Sequence, residues 1–115
     1  MFLEVLKSKT HRATITEANL NYVGSIGIDE DLIEACGLLP NEKVHVLNVN
    51  NGERIETYVI KAPRGSGIIT LNGAAARRGQ PGDIVVIVSY CFLTPEEMVN
   101  HQPRIIFPDG MNKLT

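Results

Sequence analysis

The sequence contains few of the residues that mark disulfide-rich or metal-binding proteins. Only two of its 115 residues are cysteine, Cys36 and Cys91, and they do not form a CxxC pair. Buried free thiols in a reducing compartment therefore fit this chain better than a disulfide between them. The three histidines are scattered and match no metal-ligand spacing, so we expect no structural metal.

Long apolar runs and basic clusters are also lacking. No stretch approaches the roughly 18 apolar residues of a membrane helix, and Met1 to Glu4 have neither the basic start nor the apolar core of a signal peptide. The formal net charge is −2, and the only adjacent basic pair, Arg77-Arg78, is typical of a solvated surface. We therefore expect a soluble, cytoplasmic protein that binds neither membranes nor nucleic acid.

The composition and punctuation of the chain predict one small, mainly β domain covering residues 1–115. Hydrophobic residues make up 43% of the chain and charged residues 21%, as in an ordinary globular domain. Six or seven short strands with two or three brief helices predict a closed β-barrel. Strands are predicted near residues 2–7, 12–16, 43–49, 54–60, 68–71 and 84–88, and the tail from about residue 104 is a candidate edge strand. Residues 84–88 are apolar on both faces, which predicts a central strand.

Local motifs predict the turns and helices. Asp29 is a candidate N-cap for a helix that ends at Gly37. Asn51-Gly52 is the strongest hairpin motif, and Thr94 begins a capping box. Asn72, Gly73 and three alanines predict a capped helical turn. Its free amides are suited to binding a carboxylate or an oxyanion, although a plain capped turn also explains this motif.

Two further groups of residues are candidates for chemistry. The Ser25 hydroxyl follows Gly24 and is placed to attack the Gly24 carbonyl, so that the chain cuts itself; an ordinary turn is the alternative, and Gly65-Ser66 is a second such pair. Arg54 and Tyr58 lie on one face of a predicted strand and Thr57 on the other, so one site using all three requires a bulge, a twist or two subunits. A hydrolase pairing Ser25 with Lys9 is another alternative, but the usual nucleophile elbow is absent.

Six motifs occur together along nearly the whole chain: Lys9-Thr-His11-Arg12-Ala-Thr, Asn19-Leu-Asn-Tyr22-Val-Gly24-Ser25-Ile, Ile28-Asp29-Glu-Asp31-Leu, Asn51-Gly52-Glu-Arg54-Ile-Glu-Thr57-Tyr58, Arg64-Gly65-Ser66-Gly67 and Asn72-Gly73-Ala74-Ala75-Ala76. In this order they closely resemble the bacterial aspartate 1-decarboxylase family, whose pyruvoyl-dependent enzymes make β-alanine for pantothenate synthesis.

The resemblance implies a double-psi β-barrel that assembles as a homotetramer with active sites between subunits. It implies self-cleavage between Gly24 and Ser25 into residues 1–24 and 25–115, with Thr57 stabilising the Gly24 oxyanion. Ser25 is then converted into a covalent pyruvoyl group, which forms a Schiff base with L-aspartate. No pyridoxal phosphate or metal is expected.

The resemblance also implies roles for residues around the pyruvoyl group. Tyr58 is the expected proton donor after CO₂ leaves. The expected substrate-binding residues are Arg54, Thr57, Lys9, Asn72, Gly73, Ala74 and Ala75. Tyr22 and His11 are expected to line the site. A barrel of the same fold without processing or catalysis is the remaining alternative.

Overall fold

Eight β-strands form the framework of the protein in the computed structural model, which describes residues 1–115. The strands are β1 (Leu3–Thr14), β2 (Glu17–Asn19), β3 (Ser25–Asp29), β4 (Lys43–Asn48), β5 (Arg54–Ala62), β6 (Ile69–Asn72), β7 (Ile84–Leu93) and β8 (Arg104–Ile106). Two α-helices, α1 (Glu30–Cys36) and α2 (Pro95–Met98), and a 3-10 helix (Gly73–Arg78) complete the fold. The predicted mainly β class with short helices is confirmed, with one or two more strands than expected.

The strands form one mixed sheet in the order β2-β6-β3-β5-β4-β7-β1-β8. β3 runs parallel to β5 and antiparallel to β6, and β1 lies between antiparallel β7 and parallel β8. The predicted central strand is confirmed, because β7 pairs with both β1 and β4 and is buried from Val85 to Ser89. The tail does add the edge strand β8.

β1 joins two segments that were expected as separate strands. It is continuous from Leu3 to Thr14, with register shifts between Leu6 and Ser8 and between Thr10 and Ala13. The second shift includes Arg12, whose φ of +67° bends the strand without ending its pairing with β7. The two sequence segments were separated because a bulge interrupts the alternation of side chains.

β3 is a strand that the sequence did not predict, because residues 19–25 were expected to form a turn. All five of its residues are buried, so no alternation of polar and apolar side chains marks it. A Cβ at Gly27 would lie 2.6 Å from the Thr70 methyl group, so the close approach of β6 requires glycine. Ser25 is thus the first residue of a buried strand.

Helix α1 and the β4–β5 hairpin follow their predicted motifs. Asp29 caps α1 by accepting a hydrogen bond from the Asp31 amide at 2.8 Å, and Gly37 ends it with a left-handed φ of +72°. Gly52 has a φ of +76° in the turn between β4 and β5. The capping box at Thr94 is also present.

Asp29 also fixes the loop that precedes β6. Its carboxylate accepts hydrogen bonds from the amides of Gly65 (3.0 Å) and Gly67 (2.8 Å) as well as Asp31. Burial opposes ionisation of this carboxyl group, but the three amides outweigh burial and lower its pKa below the ordinary value.

The cysteines remain free thiols, with Cys36 buried and Cys91 only half-buried. Burial raises the pKa of the Cys36 thiol. No helix has the length and apolar character needed to cross a membrane.

Candidate active site

A cavity of about 360 Å³ opens at the Gly24-Ser25 bond, between the start of β3, the middle of β5 and the 3-10 helix. We call it the Ser25 cavity. Its lining residues are Gly24, Ser25, Ile55, Glu56, Thr57, Tyr58, Asn72, Ala74, Ala75 and Arg78. Seven of them were expected from the sequence, so one chain brings together most of the predicted cleavage and catalytic positions.

Ser25 is a buried residue, and its hydroxyl group lies next to an exposed stretch of backbone. The residue is 1% exposed, whereas Gly24 is exposed. Ser25 Oγ accepts a hydrogen bond from Asn72 Nδ2 at 3.0 Å and donates one to the Val23 carbonyl oxygen at 3.0 Å. These bonds fix the hydroxyl beside the Gly24-Ser25 peptide.

Asn72 does not cap the helical turn, contrary to the sequence prediction. Its side chain makes no capping hydrogen bond, and its backbone is extended as the last residue of β6. The β3–β6 register places Asn72 directly opposite Ser25, so the amide group donates to Ser25 Oγ and accepts from Thr70 Oγ1. Strand pairing therefore determines its role.

Gly73 lets the chain before Ser25 pass close to the 3-10 helix. It has a φ of +66°, and a Cβ there would lie 2.7 Å from Gly24 Cα, 2.9 Å from Gly24 N and 3.0 Å from the Tyr22 carbonyl oxygen. These are backbone atoms, which cannot move aside as a flexible side chain can. Gly73 was expected to bind substrate through its amide, and the structure adds a second contribution, since only glycine fits this close to the candidate cleavage bond.

β5 pairs with β4 in a regular register from Arg54 to Tyr58. A bulge therefore does not explain how Thr57, on one face of the strand, and Arg54 and Tyr58, on the other, could serve one site. Ile55 packs on the core, so Thr57 points inward, whereas Arg54, Glu56 and Tyr58 point away from the core. We call this second side the outer face. Thr57 and Tyr58 still line one cavity, because β5 pairs with β3 only from Val59 onward.

The remaining predicted residues lie outside the Ser25 cavity. Arg54 is exposed on the outer face, and Lys9 shares that face because Lys9, Val88, His45 and Glu56 lie opposite one another across four strands. The structure therefore does not place Lys9 beside Ser25, as the hydrolase alternative requires.

His11 and Tyr22 also lie elsewhere. The His11 ring contacts Phe107 edge-on at a centroid distance of 5.5 Å. Tyr22 lines a separate cavity of about 240 Å³, which touches the Ser25 cavity only through Asn72.

Arg78 lines the Ser25 cavity and was missed, because Arg77-Arg78 was interpreted as a solvated pair. A 3-10 helix has three residues per turn, so Arg78 lies on the same side as Ala75, whereas Arg77 lines a different cavity of about 610 Å³. Spacing alone did not single out this position, because Ala74 also lines the Ser25 cavity and the same spacing from Ala74 leads to Arg77.

Comparisons with known proteins identify the class and then the family. The crystal structure of the rationally designed mkDPBB_sym_86 protein superposes with a TM-score of 0.51 at 17% identity, covering 67% of this chain and 90% of that one. The protein is a double-psi β-barrel, with a buried serine after an exposed glycine at its candidate active site.

The sequence model for the aspartate decarboxylase family matches residues 1–115. The chain is 67% identical over 114 residues to the aspartate 1-decarboxylase of Caldicellulosiruptor bescii, covering 99% of this chain and 89% of that protein. It is 60% identical over 115 residues to the aspartate 1-decarboxylase of Parabacteroides distasonis, covering 99% of each chain. The chain belongs to the aspartate decarboxylase family, as its sequence motifs predicted.

Proposed function

We propose that this protein decarboxylates L-aspartate to β-alanine and CO₂ after cutting its own chain between Gly24 and Ser25. Membership of the aspartate decarboxylase family supports the substrate and the reaction. The observation that carries the cleavage is the buried Ser25 hydroxyl, oriented by Asn72 in a cavity that Thr57 and Tyr58 also line. A cytoplasmic location remains part of this proposal.

The cleavage begins with Ser25 Oγ attacking the Gly24 carbonyl carbon. A five-membered ring forms, and the Gly24 oxygen carries the developing negative charge. Thr57 lines the same cavity and makes no other side-chain hydrogen bond, so its hydroxyl is free to donate to that oxygen. The carbon–nitrogen bond then breaks, the nitrogen takes up the proton lost by Oγ, and an ester joins Gly24 to Ser25.

The ester is the precursor of the pyruvoyl group. Loss of the residue 25 Cα proton expels the Gly24 carboxylate and leaves dehydroalanine, which water converts to a ketone with release of ammonia. A pyruvoyl group at position 25 supplies an electrophilic carbonyl next to an electron-withdrawing amide. The surroundings fit such a small group, because Ala74, Ala75 and Gly73 put no bulky side chain beside it.

The chain's own residues then bind the substrate and move a proton. Tyr58 lines the cavity and is our proposed proton donor to the carbon that loses CO₂. Asn72 and the amides of Gly73, Ala74 and Ala75 hold the carbonyl oxygen of the reacting group.

A homotetramer with shared sites completes the proposal. Arg54 and Lys9 lie on the outer face and outside the Ser25 cavity of their own chain. We propose that the outer face of a second copy covers the cavity and supplies these two cations to aspartate. The unbroken β5 register supports this arrangement over a local distortion of the strand.

The Ser25→Ala variant tests self-cleavage. We expect intact mass under denaturing conditions to give two fragments, 1–24 and 25–115, for the natural sequence, and one uncut, inactive chain for the variant. Ser66→Ala is the matched control, because Ser66 also follows glycine but is exposed in a loop; it should cut normally. A cut Ser25→Ala chain, or an uncut natural chain without CO₂ release, contradicts the proposal.

The Tyr58→Phe variant tests the proton donor. The ring still fills its place in the cavity, so we expect normal fragments by mass but a fall in kcat of about 10²-fold or more, since general acid catalysis contributes that much. β-Alanine formation is the measurement. Normal turnover in this variant removes Tyr58 from the role.

A further inference from the structure

Arg78 is the one positively charged residue that lines the Ser25 cavity. The other ionisable residues in the lining are Glu56 and Tyr58. L-Aspartate carries two carboxylates and one ammonium group. The positive charge of Arg78 therefore complements the net negative charge of the substrate.

The backbone holds Arg78 in a defined position. Its carbonyl oxygen accepts hydrogen bonds from Asn51 Nδ2 at 2.9 Å and Asn48 Nδ2 at 3.2 Å, which tie the end of the 3-10 helix to the β4–β5 turn. Arg78 Nη1 donates to Glu53 Oε1 at 3.1 Å. Arg78 is thus held by its backbone carbonyl and by one guanidinium nitrogen, while its side chain remains about half exposed.

Most of the guanidinium group remains available to a ligand. Arginine has five N–H donors in a planar fork, and Glu53 takes one of them. Glu56, the one carboxylate in the lining, is paired instead with His45 at 3.2 Å and Lys43 at 3.4 Å. Arg78 can therefore donate hydrogen bonds to a second carboxylate while it keeps its ion pair with Glu53.

The chemistry decides which carboxylate of aspartate it binds. The α-carboxylate leaves as neutral CO₂, so a cation beside it would stabilise the charged starting state and slow the reaction. The side-chain carboxylate persists through the reaction. We propose that Arg78 binds this carboxylate, as a substrate-binding residue from the same chain as Ser25; this inference rests on the proposed function.

Steady-state kinetics of processed Arg78→Gln test the role. Binding that is equal in the starting state and the transition state changes KM and leaves kcat unchanged. We expect KM for L-aspartate to rise about tenfold, the worth of one charge-assisted contact at a half-exposed site, with kcat within about twofold. Arg78→Lys keeps the charge and should recover most of the affinity. Intact mass should show normal fragments in both variants.

Two matched variants separate substrate binding from a structural role. Glu53→Gln breaks the same ion pair but keeps the Arg78 cation, so KM should not rise. Arg77→Gln removes the neighbouring arginine, which lines the other cavity, and should behave like the natural sequence. An unchanged KM in Arg78→Gln, or an equal rise in Glu53→Gln, overturns the inference. If the natural sequence neither cuts itself nor releases CO₂, the proposed function fails instead.

Discussion

At the scale of single residues, Gly73 and Asn72 control the surroundings of Ser25 in different ways. Asn72 contacts the hydroxyl directly at 3.0 Å, and Gly73 lets residues 22–24 pass over the 3-10 helix. The sequence motif pointed to both residues. The turn it predicted for them was only partly right, because the contact between Asn72 and Ser25 depends on pairing between β3 and β6.

Gly73→Ala should destabilise the protein and slow cleavage, because the new Cβ adds a clash with Gly24 to the strain of a positive φ. Gly52→Ala is the matched control, since Gly52 has a similar φ of +76° and no atom within 4 Å of the added Cβ. We expect a loss of about 1 kcal/mol in unfolding free energy for Gly52→Ala and more for Gly73→Ala. Urea unfolding in a Ser25→Ala background measures both, and equal losses would refute the clash.

The other site residues were predicted unevenly. The sequence motifs named Thr57 and Tyr58, which line the Ser25 cavity, and Arg54, which does not. They did not name Arg78, whose approach to the cavity depends on the exact end of the 3-10 helix. Residue types and order were sufficient to recognise a family, but the placement of long side chains required the packed structure.

At the scale of elements, features with local causes were predicted and those with distant causes were not. Helix α1, the β4–β5 hairpin and β7 follow from caps, turn residues and a long apolar run. Strand β3 follows from its two neighbours, β5 and β6, which lie far away in the sequence. Its burial on both faces removes the alternation by which strands are usually found.

Asp29→Asn should destabilise the protein by about 2 kcal/mol at pH 7, because it removes the charge that three backbone amides stabilise and places an NH₂ group against the Gly67 amide. The folded-state pKa of Asp29 is lowered, so its ionised form stabilises the protein above the ordinary pKa of 3.8 and this contribution is lost as pH falls through the folded value. The difference between the natural sequence and the variant should therefore shrink below about pH 4.

Urea unfolding from pH 7 to pH 3 measures this difference. The control is Asp31→Asn, which removes a neighbouring, partly exposed carboxylate that pairs with Arg64 on the surface. It should change stability little, because exposed ion pairs contribute little. A difference for Asp29→Asn that stays constant with pH would contradict the role of its charge.

At the scale of the whole molecule, the C-terminal segment fastens the N-terminal strand to the rest of the fold. Asn112 is 1% exposed. Its side chain accepts from the Thr14 amide and donates to the carbonyl oxygens of Thr14 and Gly67, each at 2.8 Å. Nothing in the tail sequence predicted this contact, because it joins positions 98 residues apart.

Asn112→Ala should lower the unfolding free energy by about 2–3 kcal/mol, because the Thr14 amide and the carbonyl oxygens of Thr14 and Gly67 lose the hydrogen bonds of the buried Asn112 side chain. Asn100→Ala, at an exposed position after α2, is the control and should have almost no effect. Thermal or urea unfolding in the uncut Ser25→Ala background gives both values. An Asn112→Ala variant as stable as the control would show that water replaces the lost contacts.

The position of β1 between β7 and β8 has a consequence for reversibility. Once the proposed cut is made, residues 1–24 are a separate peptide held inside a sheet made by residues 25–115. Unfolding then releases this peptide as well as separating the subunits, so the midpoint should rise more steeply with protein concentration than it does for the uncut chain, in which the peptide never becomes dilute. After the cut, refolding therefore requires residues 1–24 to bind residues 25–115 again from solution, a step that the uncut chain does not need.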